Sequence, residues 1–248
     1  MLEKVTLSDV LFLDIETVSG EKEYSALSER MQKLWKKKCH IVLRKPVGEL
    51  LGENEIAETY SNRAGIFAEF GRIVCISVGF WSNRTKEFRT KSFYGDDERL
   101  LLEEFCGLLD KHFNDPKEHF LCGHNIKEFD IPYTCRRMVI NGLSLPAMLR
   151  IEGKKPWELA HFLDTMTVWK FGDFKNYTSL DLLAAVFDID TPKDDIDGSM
   201  VGRVYYQEKD LERIARYCEK DVVTTARVMQ RMKGIPILRD DQVANSYL

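Results

Sequence analysis

The stretch VLFLDIETVSG, residues 10–20, decides the fold. Residues 10–15 are an apolar run of the length expected for a buried strand. The run closes on two carboxylates, Asp14 and Glu16. Side chains alternate along a strand, so residues i and i+2 share a face and the two acids project together. Like charges so close are either solvated at a strand end or gathered around something positive. Paired hard oxygen donors suit Mg²⁺ or Mn²⁺. The dyad alone leaves both readings open.

Outward from this strand, residues 72–81 (RIVCISVGFW) predict a second strand, SNRT a turn, and residues 86–94 (KEFRTKSFY) a third. So short a turn makes the pair an antiparallel hairpin. Residues 97–113 set Leu101, Leu102, Phe105, Leu108, Leu109 and Phe113 at helical spacing. Short strands follow at 119–122 (HFLC) and 160–164 (AHFLD). Between them Asp130 to Asn141 predicts a helix, with Pro132 in its first turn and Gly142 as its stop. Residues 178–187 predict a helix capped by Thr178 or Ser179, and 208–232 the last long helix. Strand–helix–strand order adds parallel crossovers. The expectation is an α/β fold, one domain over residues 1–248 with its core in 8–232. Its mixed sheet has antiparallel early strands and parallel later strands, flanked by helices. Residues 20–64 read as an insertion, helical over 22–38 and then mixed and charged, the least regular part of the chain. The tail 233–248 shows no periodicity and is expected to be extended. Ligands of open sheets gather beyond the strand carboxyl ends. Asp14 and Glu16 are expected at such an end.

A chain of 248 residues, 44% hydrophobic and 31% charged, can bury one substantial core. Its net charge of −4 gives no global basic field, so any nucleic-acid contact must rest on local patches. Lys33, Lys36, Lys37, Lys38, Arg44 and Lys45 form the one basic cluster, either a solvated face or a phosphate site. The six cysteines are scattered without a C-x-x-C pair and read as reduced thiols of a cytoplasmic protein. MLEKVTLSDV lacks the apolar stretch of a signal peptide, and no run is long enough to span a bilayer.

Two further acidic stretches stand far from the first. LCGHNIKEFDIPY, 121–133, puts Asp130 where a helix begins, as an N-cap or a ligand. Asn125 caps a turn or offers its amide, and Phe129 is core or stacks on a base. His124 reads as structural. IARYCEKDVVTTARVM, 214–229, sets Tyr217 and Asp221 one helical turn apart, beside the stripe Ile214, Cys218, Val222, Ala226 and Met229. Asp164 reads as a strand-end acid near these residues, and Asp181 as a first-turn acid of a helix.

Together LDIET, GHNIKEFDIPY and YCEKD resemble the three motifs of the DEDD (DnaQ-like) 3′–5′ exonucleases, tyrosine subtype. The second, N-x-x-x-F-D-x-P, is similar to that of family-B DNA polymerase proofreading domains. DDIDGSMVGRVYY, 194–206, resembles the stand-alone PolB-like group. The resemblance covers about residues 8–232, with the insertion outside the motifs. It implies a ribonuclease H-like fold. The implied activity is release of nucleoside monophosphates from single-stranded 3′ ends, DNA favoured over RNA, with two Mg²⁺ or Mn²⁺ ions per site. By the same resemblance Asp14 bridges both ions. Glu16 and Asp221 hold the one with the attacking water, Asp130 supports the other, and Tyr217 orients the water. The histidine subtype has its His where this chain has Arg216. Thr17, Asn125 and Phe129 are the implied substrate contacts. The implied partners are 3′ ends of single-stranded DNA or RNA, with no membrane. The length leaves no room for a polymerase domain, so proofreading would act in trans, and repair or RNA trimming are other settings. Two rivals remain: a binding module of the same fold without catalysis, and a metal-dependent phosphatase of small nucleotides.

Overall fold

In the computed structural model, residues 2–46, 48–173, 177–190 and 196–244 are described. Asp194 and Asp195 of the 194–206 stretch, and positions 245–248 of the tail, lie outside them. In chain order the main elements are β1 (Val10–Ser19), α1 (Glu29–Val42), α2 (Glu53–Arg63), β2 (Gly71–Trp81), β3 (Phe88–Tyr94) and α3 (Glu98–His112). Then come β4 (Phe120–Gly123), α4 (Asp130–Ile140), β5 (Phe162–Asp164), α5 (Thr165–Trp169) and α6 (Leu180–Val186). A short α7 (Val201–Arg203) runs into a π-helical turn (Val204–Glu208), followed by α8 (Leu211–Met232) and β6 (Val243–Ala244).

β1 does not end at Asp-Ile-Glu, as its apolar run suggested. It continues to Ser19 because β2 pairs with it antiparallel from Phe12↔Gly79 to Ser19↔Gly71. Asp14 and Glu16 therefore lie in mid-strand. What ends beside them is the other neighbour: β4 pairs in parallel with Val10, Leu11 and Phe12 alone. The two acids thus stand beyond the carboxyl end of β4, where the sheet opens to a ligand. A bulge between Glu16 and Thr17, which face Cys75 and Ile73, bends the pair at this point.

The sheet order is β5-β4-β1-β2-β3-β6. β1, β2 and β3 are antiparallel neighbours, while β4 and β5 add in parallel, as expected for the early and later strands. The sixth strand lies in the tail that was expected to be extended, though its pairing was not foreseen. It pairs in parallel with β3 at Phe88 and Arg89, and two residues carry no alternation to read.

Alternation along β1 sorts its side chains between two layers. Leu11, Leu13 and Ile15 pack with Leu101, Leu102, Phe105, Ile131 and Met138 of α3 and α4. On the opposite face Val10 and Phe12 meet Val222, Ala226 and Met229 of α8, and Val18 meets Ile214 and Cys218. α8 comes close because β2 has a glycine beneath it. A Cβ on Gly79 would run into the Phe88 ring and lie 2.7 Å from Val222 Cγ1.

The insertion is more regular than its composition suggested. α1 starts at the N-cap Ser28, whose side chain accepts from the Met31 amide, and not at residue 22. α2 follows within the span read as mixed. The two enclose a core of Trp35, Cys39, Leu51, Ile56, Tyr60 and Ala64. The Trp35 indole N–H donates to the Ile56 carbonyl at 3.2 Å. This core is fastened to the end of β1: the Gly20 amide donates to the Phe70 carbonyl at 2.7 Å. All six cysteines are free thiols. Among the described residues no helix is long and apolar enough to cross a membrane.

Candidate active site

Asp14 and Glu16 share the face of β1 that α8 covers. An oxygen of each carboxylate and the sulfur of Cys218 all lie within 4.8 Å of one another. The Cys218 thiol donates to Asp14 Oδ2 at 3.3 Å. The same thiol is within hydrogen-bond reach of Cys75, the β2 residue that faces Glu16. One residue earlier on α8, the Tyr217 hydroxyl hydrogen-bonds to the Asp221 carboxylate one turn further on. The charge of Asp221 acts on both Asp14 and Glu16, so α8 brings it to the β1 pair.

Asp130 arrives from the opposite layer. The reading of Asp130 as an N-cap is corrected: α4 begins at Asp130 itself, and the cap residue, Phe129, makes no side-chain cap bond. The Asp130 carboxyl is buried, 4% exposed, and accepts from its own amide and from that of Ile15. Past Phe12 β1 has lost its β4 neighbour, and a buried backbone amide needs some acceptor. Asp130 supplies it and so comes to rest against β1, where its charge acts on Asp14.

A second acid fixes the turn that delivers Asp130. Asp164, at the end of β5, accepts from the amides of Asn125 (3.1 Å), Lys127 (3.4 Å), Met166 (3.0 Å) and Thr167 (3.3 Å). Two of these donors belong to the β4–α4 turn and two to the first turn of α5. Asp164 is thus a strand-end acid near the site with its oxygens occupied by the backbone. Asn125 takes φ +63°, a left-handed conformation that asparagine tolerates. His124 is held at both ring nitrogens, by Thr165 Oγ1 and the Thr178 carbonyl, each at 2.9 Å. Burial holds its pKa below the usual imidazole value. Asp181 is exposed in the first turn of α6, and Arg216 is paired at 3.5 Å with Glu212.

Thr17 lies past the bulge, and its hydroxyl bonds to that of Tyr133 on α4. The Tyr133 hydroxyl donates to the Gly65 carbonyl at 2.7 Å, and its ring lies 5.4 Å from that of Phe129. Thr17, Phe129 and Tyr133 therefore form one patch, linked through Gly65 to the insertion. Two residues of this centre were not singled out from the sequence. Cys218 stands inside the quoted YCEKD, where its place in an apolar stripe hid its second role as a donor. Tyr133 closes GHNIKEFDIPY, one turn after Phe129, a spacing that could have marked it.

The electrostatics follow from this crowding. Burial first, then the charges of Asp130 and Asp221, push Asp14 well above the usual carboxylate range, and the Cys218 hydrogen bond pulls it back in part. Glu16 is raised by burial and then by Asp14 and Asp221. Burial lifts Asp130 to about 7, against the opposing pull of its backbone hydrogen bonds. Tyr217 is raised by burial, then by Asp221, Glu16 and Asp14, so its phenol keeps its proton at neutral pH. A cluster of this kind is relieved by protons or by cations. Its donors are mostly carboxylate oxygens, the set that Mg²⁺ and Mn²⁺ prefer.

The RNase_H_2 family model, of the RNase_H superfamily, matches residues 63–233. That span holds Asp130, Tyr217 and Asp221. No curated protein matches the chain. Among solved structures the chain is similar to the family B DNA polymerase from the hyperthermophilic archaeon Pyrobaculum calidifontis, with a TM-score of 0.55 and 16% identity. The similarity covers 90% of this chain and 24% of the polymerase, so this chain spans about a quarter of that protein's length. At such identity the likeness is one of fold. The family model matches well over half of the chain, and the chain belongs to the RNase_H superfamily.

Proposed function

We propose that this chain is a metal-dependent 3′–5′ exonuclease that releases nucleoside monophosphates from single-stranded nucleic acid, with DNA as the favoured substrate. One observation carries the reading. Asp14, Glu16, Asp130 and Asp221 come from three distant parts of the chain, and their charges bear on one another. A protein that only bound a polyanion would gain nothing from four acids facing it. Superfamily membership and the fold shared with a DNA polymerase support a nucleic-acid substrate.

Asp14, Glu16, Asp130 and Asp221 would hold the divalent ions. Two bound ions would neutralise the four carboxylates, acidify a water and stabilise the departing oxygen. The reaction joins a water oxygen to phosphorus and breaks the bond to the 3′ oxygen, which takes up a proton. Tyr217 positions that water by a hydrogen bond. Its raised pKa excludes it as a base at neutral pH. Thr17, Asn125 and Phe129 would contact the terminal nucleotides, Phe129 by stacking.

The test is a time course on 5′-labelled and 3′-labelled DNA and RNA oligomers with Mg²⁺ or Mn²⁺. The expected result is a ladder shortened one nucleotide at a time from the 3′ end, abolished by EDTA. Cuts within the strand, phosphate release from free nucleotides, or cleavage that survives chelation would each reject the reading.

A further inference from the structure

The insertion holds a feature that the reaction leaves unused. α1 carries Arg30, Lys33, Lys36, Lys37 and Lys38 against one acid, Glu29, in a chain of net charge −4. Lys33 and Lys37 stand one turn apart, and like charges at that spacing weaken a helix. One cation of the insertion outside α1 is neutralised: Lys45 Nζ lies 2.7 Å from Glu55 and 3.3 Å from Glu49. Lys45 therefore leaves the basic cluster. Lys38 sits 4.2 Å over the Phe67 ring. Among the described residues no acid lies within ion-pair distance of Lys33, Lys36 or Lys37.

The same helix turns apolar side chains to water. Leu34 is 43% and Ile41 69% exposed. With Met31, Lys37, Lys38, Glu69 and Phe70 they line a groove of about 420 Å³. Phe70 is the residue whose carbonyl receives the Gly20 amide, where β1 passes into the insertion. Glu16 to Gly20 is four residues of extended chain, about 13 Å. The groove thus opens beside the end of the strand that carries the acids.

An apolar floor, rimmed by Lys37 and Lys38 against the single acid Glu69 with Lys33 one turn away, fits an unpaired strand, whose bases need a surface and whose phosphates need charge. We propose that α1 holds the single-stranded substrate upstream of its reacting end. Lys33, Lys37 and Lys38 face phosphates, and Met31, Leu34, Ile41 and Phe70 face bases. The choice of occupant rests on the nuclease reading.

The experiment measures binding of fluorescent oligo(dT) of 20 nucleotides by anisotropy, in an Asp14→Ala chain so that the probe survives. Adding Lys33→Glu and Lys37→Glu should raise Kd at least tenfold and flatten the slope of log K against log salt by about 1.4, two phosphate contacts at about 0.7 each. Leu34→Ser with Ile41→Ser should raise Kd and leave the slope alone. Lys33→Gln with Lys37→Gln, checked by circular dichroism, repeats the test without new acids. An unchanged Kd and slope in all three overturns the groove, and is the result expected if an acidic protein uses these lysines instead. If the chain cleaves oligomers and the lysine variants bind dT as before, the groove falls and the nuclease reading stands. If it cleaves nothing yet binds dT through these lysines, the reverse holds.

Discussion

At the scale of single residues, the site is a set of acids held closer than their charges allow. Asp14→Asn removes one of the mutually repelling groups. The cation-free protein should then melt about 2–4 °C higher, while oligonucleotide cleavage falls by about 10³-fold or more. Lower stability with cleavage retained would remove Asp14 from the centre. Tyr217→Phe keeps every carboxylate and loses one hydrogen bond, so a smaller loss of about 10²-fold is expected. Cys218 separates packing from donation. Cys218→Ala should weaken Mn²⁺ binding, read by calorimetry, by about 10-fold or more, and Cys218→Ser, which keeps a donor to Asp14, should largely restore it. The two β1 acids were legible because alternation on a strand is strict. The thiol was not, since a residue in an apolar stripe reads as filling and nothing in its spacing says that it also donates.

At the scale of elements, the β4–α4 turn depends on Asp164. Asp164→Ala would strip acceptors from four backbone amides. A loss of about 3 kcal/mol or more is expected by urea denaturation, because buried unmet donors cost about 1–3 kcal/mol each. A loss below about 1 kcal/mol would show that water replaces the carboxylate. Strands and long helices were legible in the sequence, since Leu101 through Leu109 repeat at helical spacing and Val10 through Leu13 form an unbroken apolar run of strand length. Boundaries set by partners were not. β1 runs on to Ser19 because β2 pairs with it, and α4 starts at Asp130 because Ile15 offers an amide there. α2 escaped notice because its ENEIAETYSNR buries only Ile56, Thr59 and Tyr60, against a Trp35 far back in the chain.

At the scale of the molecule, the acid cluster ties stability to pH. Asp130 at about 7 in the fold lies above the usual aspartate value of about 4, so the folded chain binds this proton more tightly. Its stabilising contribution is whole below about pH 4 and is lost as pH rises through about 7. Asp14 and Glu16, both raised, act in the same direction. In chelator the melting temperature should fall by several degrees from pH 5 to pH 8. Mn²⁺ should reverse the fall, and its effect should grow with pH. A melting curve indifferent to both would speak against an ion-binding cluster. The mixed topology was legible because a hairpin must be antiparallel and a helical crossover parallel. The convergence of residues 14, 130 and 221 was legible only as a likeness of motifs, for no local pattern measures distance between elements. That distance is set in part by Gly79. A single methyl there would act as a wedge under α8, prising Tyr217 and Asp221 away from β1 with every one of those side chains intact, so the proposed activity could be stopped by a lever placed outside the acid cluster.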